Sequence, residues 1–263
     1  MPKKEKIQQM FDSIAPGYDA FNHLTSLGAD RAWRRRALRE VVGPRVLDEA
    51  CGTGDFTIAI ANYLGKTGRK TVENVEGPFR NPGPSTDGIS LVGVDISEGM
   101  LEVMRRKVEA AGLSGSVGGA AEHRAAATVR AEPGDCCALR YADASFDTVT
   151  VAFGVRNFED REKALQEVLR VLRPGGRFVM LELGIPRNPV VRAAYKFYFT
   201  RIMPLIGRGI SKDKAAYRYL PASVLEFPNP EDWTATMQKA GFAEVRHRPL
   251  SLGICNLFTG VRA

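Results

Sequence analysis

Short apolar segments alternate with helix-forming segments along most of this chain, and this alternation limits its fold more than any other sequence feature. Segment 45–50 (RVLDEA) leads through a glycine turn into a helical pattern over 55–64, and segment 91–95 (LVGVD) leads into another over 98–111. Ser97 is well placed as the N-cap of the second helix. Strands that alternate with helices form a mainly parallel sheet with helices on both faces. The sequence therefore predicts an α/β fold around one central sheet.

The alternation continues through the second half of the chain and changes at its end. Further strands are predicted at 129–132, 146–153 and 177–183. A helix over 159–172 is expected to end at the Pro-Gly-Gly of 174–176. After a helix over 230–240, two strands at 244–249 and 253–262 follow each other directly. Consecutive strands joined by a short turn pair antiparallel, so the sheet should be mixed at one edge.

Composition and cysteine use place the chain among ordinary globular proteins. It has 263 residues, of which 44% are hydrophobic and 25% are charged, so disorder and coiled coil are excluded as the main state. The four cysteines form no CxxC pair and the three histidines have no zinc-like spacing, so no metal site is predicted. Residues 1–11 lack a signal-peptide core, and no apolar run is long enough to span a bilayer. We therefore expect reduced thiols and a cytoplasmic location.

The charge balance limits the possible classes of binding partner only slightly. Lys and Arg total 37 against 30 Asp and Glu, a net charge of +7, which suits an anionic ligand, a membrane surface or nucleic acid. The densest cluster is 31–39 (RAWRRRALR), which is equally well explained as a solvated helix face.

Two segments interrupt the alternation without offering chemistry. Residues 66–90 are rich in Gly, Pro, Asn and Ser, and residues 114–128 are rich in Gly and Ala. Each lies between the end of a helix and the start of a strand. Ligands in open α/β sheets bind at the opposite, carboxyl ends of the strands. We therefore interpret both segments as surface-loop insertions remote from the site.

The glycine turn after the first strand is the clearest local sign of a ligand. Residues 46–55 (VLDEACGTGD) form a strand, a tight turn and a helix start, where backbone amides can approach a ligand closely. The spacing is not GxGxxG, and no Gly-Lys-Ser/Thr follows, so NAD and nucleoside triphosphates are disfavoured. Asp95 ends the next strand, where a carboxylate can accept hydrogen bonds from a ribose diol.

These residues carry a resemblance to a known family. LDEACGTGD, VGVDIS and RVLRPGG occur in the order typical of class I S-adenosylmethionine-dependent methyltransferases. Four further stretches resemble the quinone C-methyltransferases of menaquinone and ubiquinone biosynthesis: 10–35, FGVRNFED at 153–160, RVLRPGGRFVMLEL at 170–183, and 217–260. The resemblance covers nearly the whole chain apart from the two insertions.

The resemblance implies a single Rossmann-like domain over 1–263 with a seven-stranded mixed sheet. Residues 1–43 would form an N-terminal helical lid, and 187–229 a helical insertion on the substrate and membrane side. The cofactor would be S-adenosylmethionine, bound by Asp48, Gly52, Thr53, Gly54, Asp95, Ile96, Asp135, Cys136, Ala152 and Tyr18. Within that set the glycine turn would face the methionine part, Asp95 the ribose, and Asp135 with Cys136 the adenine. Ala152 stands where some members have a contacting Ser, so a contact there would use the backbone.

For the chemistry, the resemblance points to Arg156 and Asn157 as catalytic residues. A protonated guanidinium near a phenol oxygen favours the phenolate, which makes the adjacent ring carbon nucleophilic. The alternative is a structural ion pair between Arg156 and a carboxylate such as Asp160. Expected substrate contacts are Phe153, Asn22, Tyr195 and Tyr219.

Several residues in these stretches leave alternatives open. Asp30 stands where the family often has His, and Gly184 stands where it often has Ser or Thr, so those side chains offer no base or hydroxyl. His23 fits a structural role or a general base. An apolar stripe on one helix face fits core packing, a groove for an isoprenoid tail, or bilayer contact: Val191, Ala194, Tyr195, Tyr198, Ile202 and Leu205.

The function that the resemblance implies is C-methylation of a reduced prenylated quinol, most specifically demethylmenaquinol to menaquinol. The alternatives are methylation of the ubiquinone-pathway methoxybenzoquinol and, in different classes, an RNA methyltransferase, a nucleic-acid binder or a non-catalytic binding protein with this fold. Expected partners are the quinol and a membrane surface reached peripherally from the cytoplasmic side, without nucleic acid. The residues leave a homodimer open.

Overall fold

The protein is described by a computed structural model covering residues 3–67, 88–114, 127–203 and 214–263, with the backbone alone for 214–218. The chain starts with three helices, α1 (Lys4–Ile14), α2 (Tyr18–Thr25) and α3 (Ala29–Leu38). A single 3-10 turn, Ala15–Gly17, joins the first two. These three helices precede the first strand of the sheet.

One sheet of seven strands organises the described parts of the chain. Its strands are β1 (Arg45–Glu49), β2 (Ile89–Asp95), β3 (Ala127–Pro133), β4 (Phe146–Ala152), β5 (Leu172–Leu183), β6 (Phe242–Leu250) and β7 (Cys255–Arg262). Their order is β3-β2-β1-β4-β5-β7-β6, in which the pairs up to β5 are parallel and the last two pairs are antiparallel. The predicted mixed edge is therefore confirmed.

Helices cover both faces of the sheet. The remaining helices are α4 (Asp55–Thr67), α5 (Glu98–Ala110), α6 (Arg161–Val171), α7 (Pro189–Phe197), α8 (Lys214–Glu226) and α9 (Pro230–Ala240). Buried side chains of α3, α4 and α5 form one core cluster with the sheet, and those of α6 and α9 form a second. Ser97 caps α5 by accepting a hydrogen bond from the Met100 amide, as the sequence predicts.

The structure corrects two predicted boundaries on either side of α6. The helix begins at Arg161 rather than 159, because the Asp160 carboxylate caps it through the Lys163 amide. Strand β5 begins at Leu172 rather than 177 and continues through the Pro-Gly-Gly sequence. A shift of register lets Leu172 pair with Phe146 before the regular ladder starts.

The two insertions lie mostly outside the described residues, which exclude 68–87 and 115–126. The described residues on each side of these two ranges are a helix end and a strand start, α4 and β2 for the first and α5 and β3 for the second. Among the helices in the described ranges, none combines the length and apolarity needed to cross a membrane.

Candidate functional site

Two cavities meet where the strand order of the sheet reverses. Strand β1 lies between β2 and β4, so the chain leaves it in opposite directions and opens a crevice at the carboxyl ends. The sheet-end cavity, of about 760 Å³, lies over these ends. The lid cavity, of about 390 Å³, lies between the N-terminal helices and the region of α7 and α8. Phe11, Tyr18 and Phe153 line both cavities and form the wall between them.

The glycine turn and the β2 carboxylate build the floor of the sheet-end cavity. Gly52 has a φ of +55°, and its amide donates to Asp95 Oδ2 at 2.8 Å. The Ser97 amide donates to Asp95 Oδ1 at 2.9 Å. Burial raises the pKa of Asp95 to about 6, against the opposing effect of these amides. Because a carboxylate offers about four lone-pair sites, the held group can still accept bonds from a diol.

The rest of this cavity provides an apolar shelf with one acidic group at its side. Ile96, Cys136 and Ala152 line it, as predicted. Asp135 lines it too, and its carboxylate forms an ion pair of 2.6 Å with Lys4 from α1. Burial raises the pKa of Asp135, but the Lys4 hydrogen bond, the Cys137 amide and the nearby lysine charges together hold that pKa below its usual value. A purine-sized ring on the shelf and a diol at Asp95 match this donor and acceptor set.

Three predicted cofactor residues lie behind the cavity wall instead of in it. Asp48 is 1% exposed and accepts hydrogen bonds from Thr57 and Thr150. The Thr53 hydroxyl donates to Asp19 of α2. Gly54 has a φ of +81°, and a Cβ there would lie 2.5 Å from Met104. These residues hold the glycine turn against α2, α4 and α5, a supporting position that the motif alone cannot distinguish from direct contact.

Two carboxylates of the N-terminal helices bind α5 and its N-cap residue. Asp12 accepts from the Ser97 hydroxyl at 2.6 Å and from the Gly99 amide at 3.0 Å, at the start of α5. Asp19 forms an ion pair of 2.9 Å with Lys107. In this closed arrangement α1 and α2 roof both cavities.

Arg156 is a buried, charged side chain that lines the lid cavity. Its guanidinium pairs with Glu182 of β5 at 2.8 Å, while its own amide donates to the other oxygen of that carboxylate at 3.0 Å. Burial opposes the charge, but Glu182 raises the pKa of Arg156 above its ordinary value. Arg156 Nε is buried without a hydrogen-bond partner among the described residues. The alternative of a structural ion pair is therefore confirmed, but its carboxylate is Glu182, since Asp160 caps α6.

Three tyrosines surround this guanidinium. Tyr195 lines the lid cavity, and its hydroxyl is buried without a hydrogen-bond partner in the part of the chain that is described. Tyr219 lines it too and donates to Asn157 Oδ1 at 3.0 Å. Tyr18 makes a side-chain hydrogen bond with Asn22, and burial raises its pKa. The predicted substrate residues are thus brought together, with Asn157 reached from the neighbouring cavity.

The predicted apolar stripe begins on α7. None of the α7 residues is buried, so the interpretation of the stripe as core is wrong there. Val191, Ala194, Tyr195 and Tyr198 line the lid cavity, Ile202 does not, and Leu205 lies outside the described residues.

His23 does not line either cavity and pairs with Asp30 at 2.9 Å. Arg34 also pairs with Asp30, at 2.6 Å, and Lys107 pairs with Asp55 beside them. Arg34 and Lys107 therefore neutralise Asp30 and Asp55, so this cluster is a salt-bridge network.

Sequence reasoning missed Glu182, Lys4 and Phe11. Glu182 had a signal, because a charged residue stands in the otherwise apolar strand segment FVMLEL. Lys4 and Phe11 had none, since their role depends on where α1 packs.

The sheet order, the glycine turn and the strand-end carboxylate define a class I S-adenosylmethionine-dependent methyltransferase. A methyltransferase of this kind from Thermotoga maritima has the same fold, with a TM-score of 0.60, 18% identity, and coverage of 97% of this chain and 99% of its own.

The chain belongs to the ubiE/COQ5 methyltransferase family, whose profile matches residues 1–262. The ubiquinone/menaquinone biosynthesis C-methyltransferase UbiE of Geobacter sulfurreducens is 42% identical over 98% of this chain and 89% of its own. The demethylmenaquinone methyltransferase of Bacteroides fragilis is 39% identical over 99% of this chain and 94% of its own. S-adenosylmethionine is therefore the cofactor.

Proposed function

We propose that this chain methylates a ring carbon of demethylmenaquinol, using S-adenosylmethionine and a reduced prenylated substrate. The observation that carries the proposal is the pair of cavities that share Phe11, Tyr18 and Phe153. One cavity has a carboxylate and shelf suited to a nucleoside, and the other is mainly apolar with two cations in its lining, Arg156 and Arg34, each paired with a buried carboxylate. A transfer between two bound molecules needs such adjacent sites.

The cofactor residues that the geometry favours are Gly52, Asp95, Ile96, Asp135 and Cys136, with Ala152 and Tyr18 completing the wall. Bound S-adenosylmethionine supplies an electrophilic methyl group on a sulfonium. The chain's own contribution is to hold the acceptor in line with that group and to keep water out, since α1 and α2 cover both sites.

Arg156 is the residue that we expect to activate the acceptor. A hydroquinone carbon becomes nucleophilic when the neighbouring oxygen is ionised, and a nearby cation lowers the pKa of that phenol. The phenolate ring carbon would attack the sulfonium methyl group to form the new carbon–carbon bond, and the carbon–sulfur electron pair would leave with the sulfur. The ring carbon would then pass its proton to solvent, which restores aromaticity. Among the described residues that line the lid cavity, Arg34 Nε, Arg156 Nε and the Tyr195 hydroxyl are buried donors without a partner, and Arg156 and Tyr195 are the two that we expect to hold the ring oxygens.

The tail of the substrate would occupy the rest of the lid cavity. Its walls are apolar or aromatic, including Phe21, Val191, Tyr198 and Met203. The relatives named for demethylmenaquinone and for menaquinone biosynthesis support a naphthoquinol substrate. A prenylated substrate resides in a membrane, so we also propose a peripheral position on the cytoplasmic face.

The test is methyl transfer from labelled S-adenosylmethionine to a panel of acceptors under reducing conditions. We expect label in the reduced naphthoquinol lacking the ring methyl, and none in its oxidised quinone. Preferential labelling of the methoxybenzoquinol would replace the menaquinone assignment, while labelling of RNA alone would overturn the proposal.

A further inference from the structure

The lid cavity has an identifiable mouth. Leu27, which follows α2, lines the cavity and yet is 82% exposed. A side chain can line a cavity and also be exposed to solvent only where the cavity reaches the surface. Tyr198 donates to the Thr25 carbonyl at 2.8 Å, so the segment after α7 lies against the same end of α2.

Large apolar side chains stand exposed around this mouth. Each belongs to a segment that also lines the cavity: the end of α2, helix α7, or the turn between β6 and β7. We call them the mouth rim: Leu24, Leu27, Val190, Phe197 and Leu252. The turn is held in place by Trp33, whose indole N–H donates to Ser251 at 2.8 Å. Exposed apolar groups concentrated at a cavity mouth indicate a contact surface.

The charged side chains of the segments that form the mouth are basic with one exception. Residues 22–31, 185–203 and 249–254 contain five Arg or Lys residues: Arg31, Arg187, Arg192, Lys196 and Arg201. Their one carboxylate is Asp30, which is 3% exposed and paired with Arg34. Arg187 has a partner of its own in Glu231, whereas Arg31 and Lys196 are exposed on α3 and α7. An apolar surface ringed by cations suits an anionic lipid surface.

We propose that the mouth rim docks onto the anionic face of a lipid bilayer, so that the lid cavity opens into the lipid. This inference rests on the proposed function, because a prenylated acceptor makes such an opening useful. The quinol ring would enter beside Leu27 while its tail stays partly in the membrane. The tail then never crosses water, which explains a mouth lined by apolar groups instead of a closed end.

The direct test is co-sedimentation with vesicles of phosphatidylglycerol and phosphatidylcholine. The variant Val190→Ser/Leu252→Ser, which changes rim residues that do not line the cavity, should bind mixed vesicles about tenfold more weakly than the parent. Arg31→Gln/Lys196→Gln should lose binding severalfold, in step with the phosphatidylglycerol content. The matched controls Leu225→Ser and Lys239→Gln alter exposed residues of α8 and α9 outside the rim and should bind as the parent does. Equal binding of rim and control variants would overturn the proposal.

Activity separates this proposal from the proposed function. The rim variants should methylate a tail-free naphthoquinol in solution at the parent rate, and lose turnover only with long-tailed quinol in vesicles. If the parent methylates neither the tail-free nor the long-tailed quinol, the proposed function fails whatever the vesicle binding shows. If the rim variants change the mass in light scattering while vesicle binding is unaltered, the rim contacts a second copy of the chain and the bilayer proposal is wrong.

Discussion

Arg156 has a structural role in a buried ion pair, and we also expect it to activate the acceptor. Its side chain is 6% exposed and that of Glu182 is fully buried. Removing one partner of such a pair leaves an uncompensated buried charge, which typically costs about 3–5 kcal/mol. A single substitution therefore confuses loss of folding with loss of catalysis, and the role of the guanidinium has to be tested with its partner removed as well.

We expect Arg156→Gln to lose both stability and rate, and Arg156→Gln/Glu182→Gln to regain most of the stability but not the rate. Loss of a charge aimed at a developing anion is typically worth about a hundredfold or more. Because the phenol then ionises unaided only at higher pH, the rate of the double variant should continue to rise beyond the pH at which the parent levels off. Single-turnover rates against pH, with urea unfolding of each variant, measure both effects. Identical pH profiles would assign Arg156 a purely structural role.

Tyr195 offers a cleaner substitution, because its hydroxyl has no partner to disturb among the described residues. Burial raises its pKa, so it remains a neutral donor throughout the working range. We expect Tyr195→Phe to lower kcat/KM for the quinol about tenfold, as for one lost hydrogen bond to a charged oxygen. Tyr198→Phe is the control, since that hydroxyl is used by the Thr25 carbonyl. It should lose stability and not catalysis; equal kinetic losses would contradict the distinction.

At the scale of elements, helix α1 closes one side of the sheet-end cavity, which without this helix would be an open surface. Ile7 and Phe11 of this helix line the cavity, and Lys4 reaches Asp135 across it. The Lys4–Asp135 pair is partly exposed, and such pairs contribute little to stability. Asp12 is the firmer attachment, because its carboxylate accepts from the Ser97 hydroxyl and the Gly99 amide at the positive end of α5.

Asp12→Ala should therefore loosen α1 and weaken S-adenosylmethionine binding about tenfold, while the cooperative unfolding of the sheet changes by less than about 1 kcal/mol. Isothermal titration and urea unfolding measure the two quantities. Glu5→Ala, an exposed acid on the same helix, is the control and should leave both unchanged. Unaltered cofactor affinity in Asp12→Ala would show that α1 is not needed for the pocket.

At the scale of the whole molecule, the centre of the sheet holds more buried carboxyl groups than its packing requires. Burial raises the pKa of Asp48 and of Asp95 from 3.8 to about 6. Glu49 is fully buried, both of its oxygens lack partners among the described residues, and burial raises its pKa well above the usual value. A raised pKa means that the folded state favours the protonated form. These groups therefore stabilise the fold fully only below their unfolded pKa values, and that contribution is lost as the pH rises through the folded ones.

Glu49→Leu should raise the free energy of unfolding by about 1–3 kcal/mol at neutral pH, because it removes an unsatisfied buried carboxyl. The gain should be smallest near pH 4 and should grow as the pH rises toward the folded pKa of Glu49. Urea unfolding at several pH values measures it, with the exposed Glu162→Leu as the control. A gain that does not depend on pH would show that Glu49 stays equally protonated in both states.

By itself the sequence determined the α/β class, the mixed edge of the sheet and the glycine turn, and it named Asp95, Arg156 and Tyr195 among the residues that line the two cavities. It could do so because strand periodicity, turn glycines and caps act over a few residues, and because strand ends must gather at one edge. Only the tertiary structure decided that Glu182 faces Arg156, that Thr53 and Gly54 support the turn from behind, and that the stripe of α7 lines a cavity. Those outcomes depend on which way a side chain turns and which distant element packs against it, and burial and pairing across the chain set both.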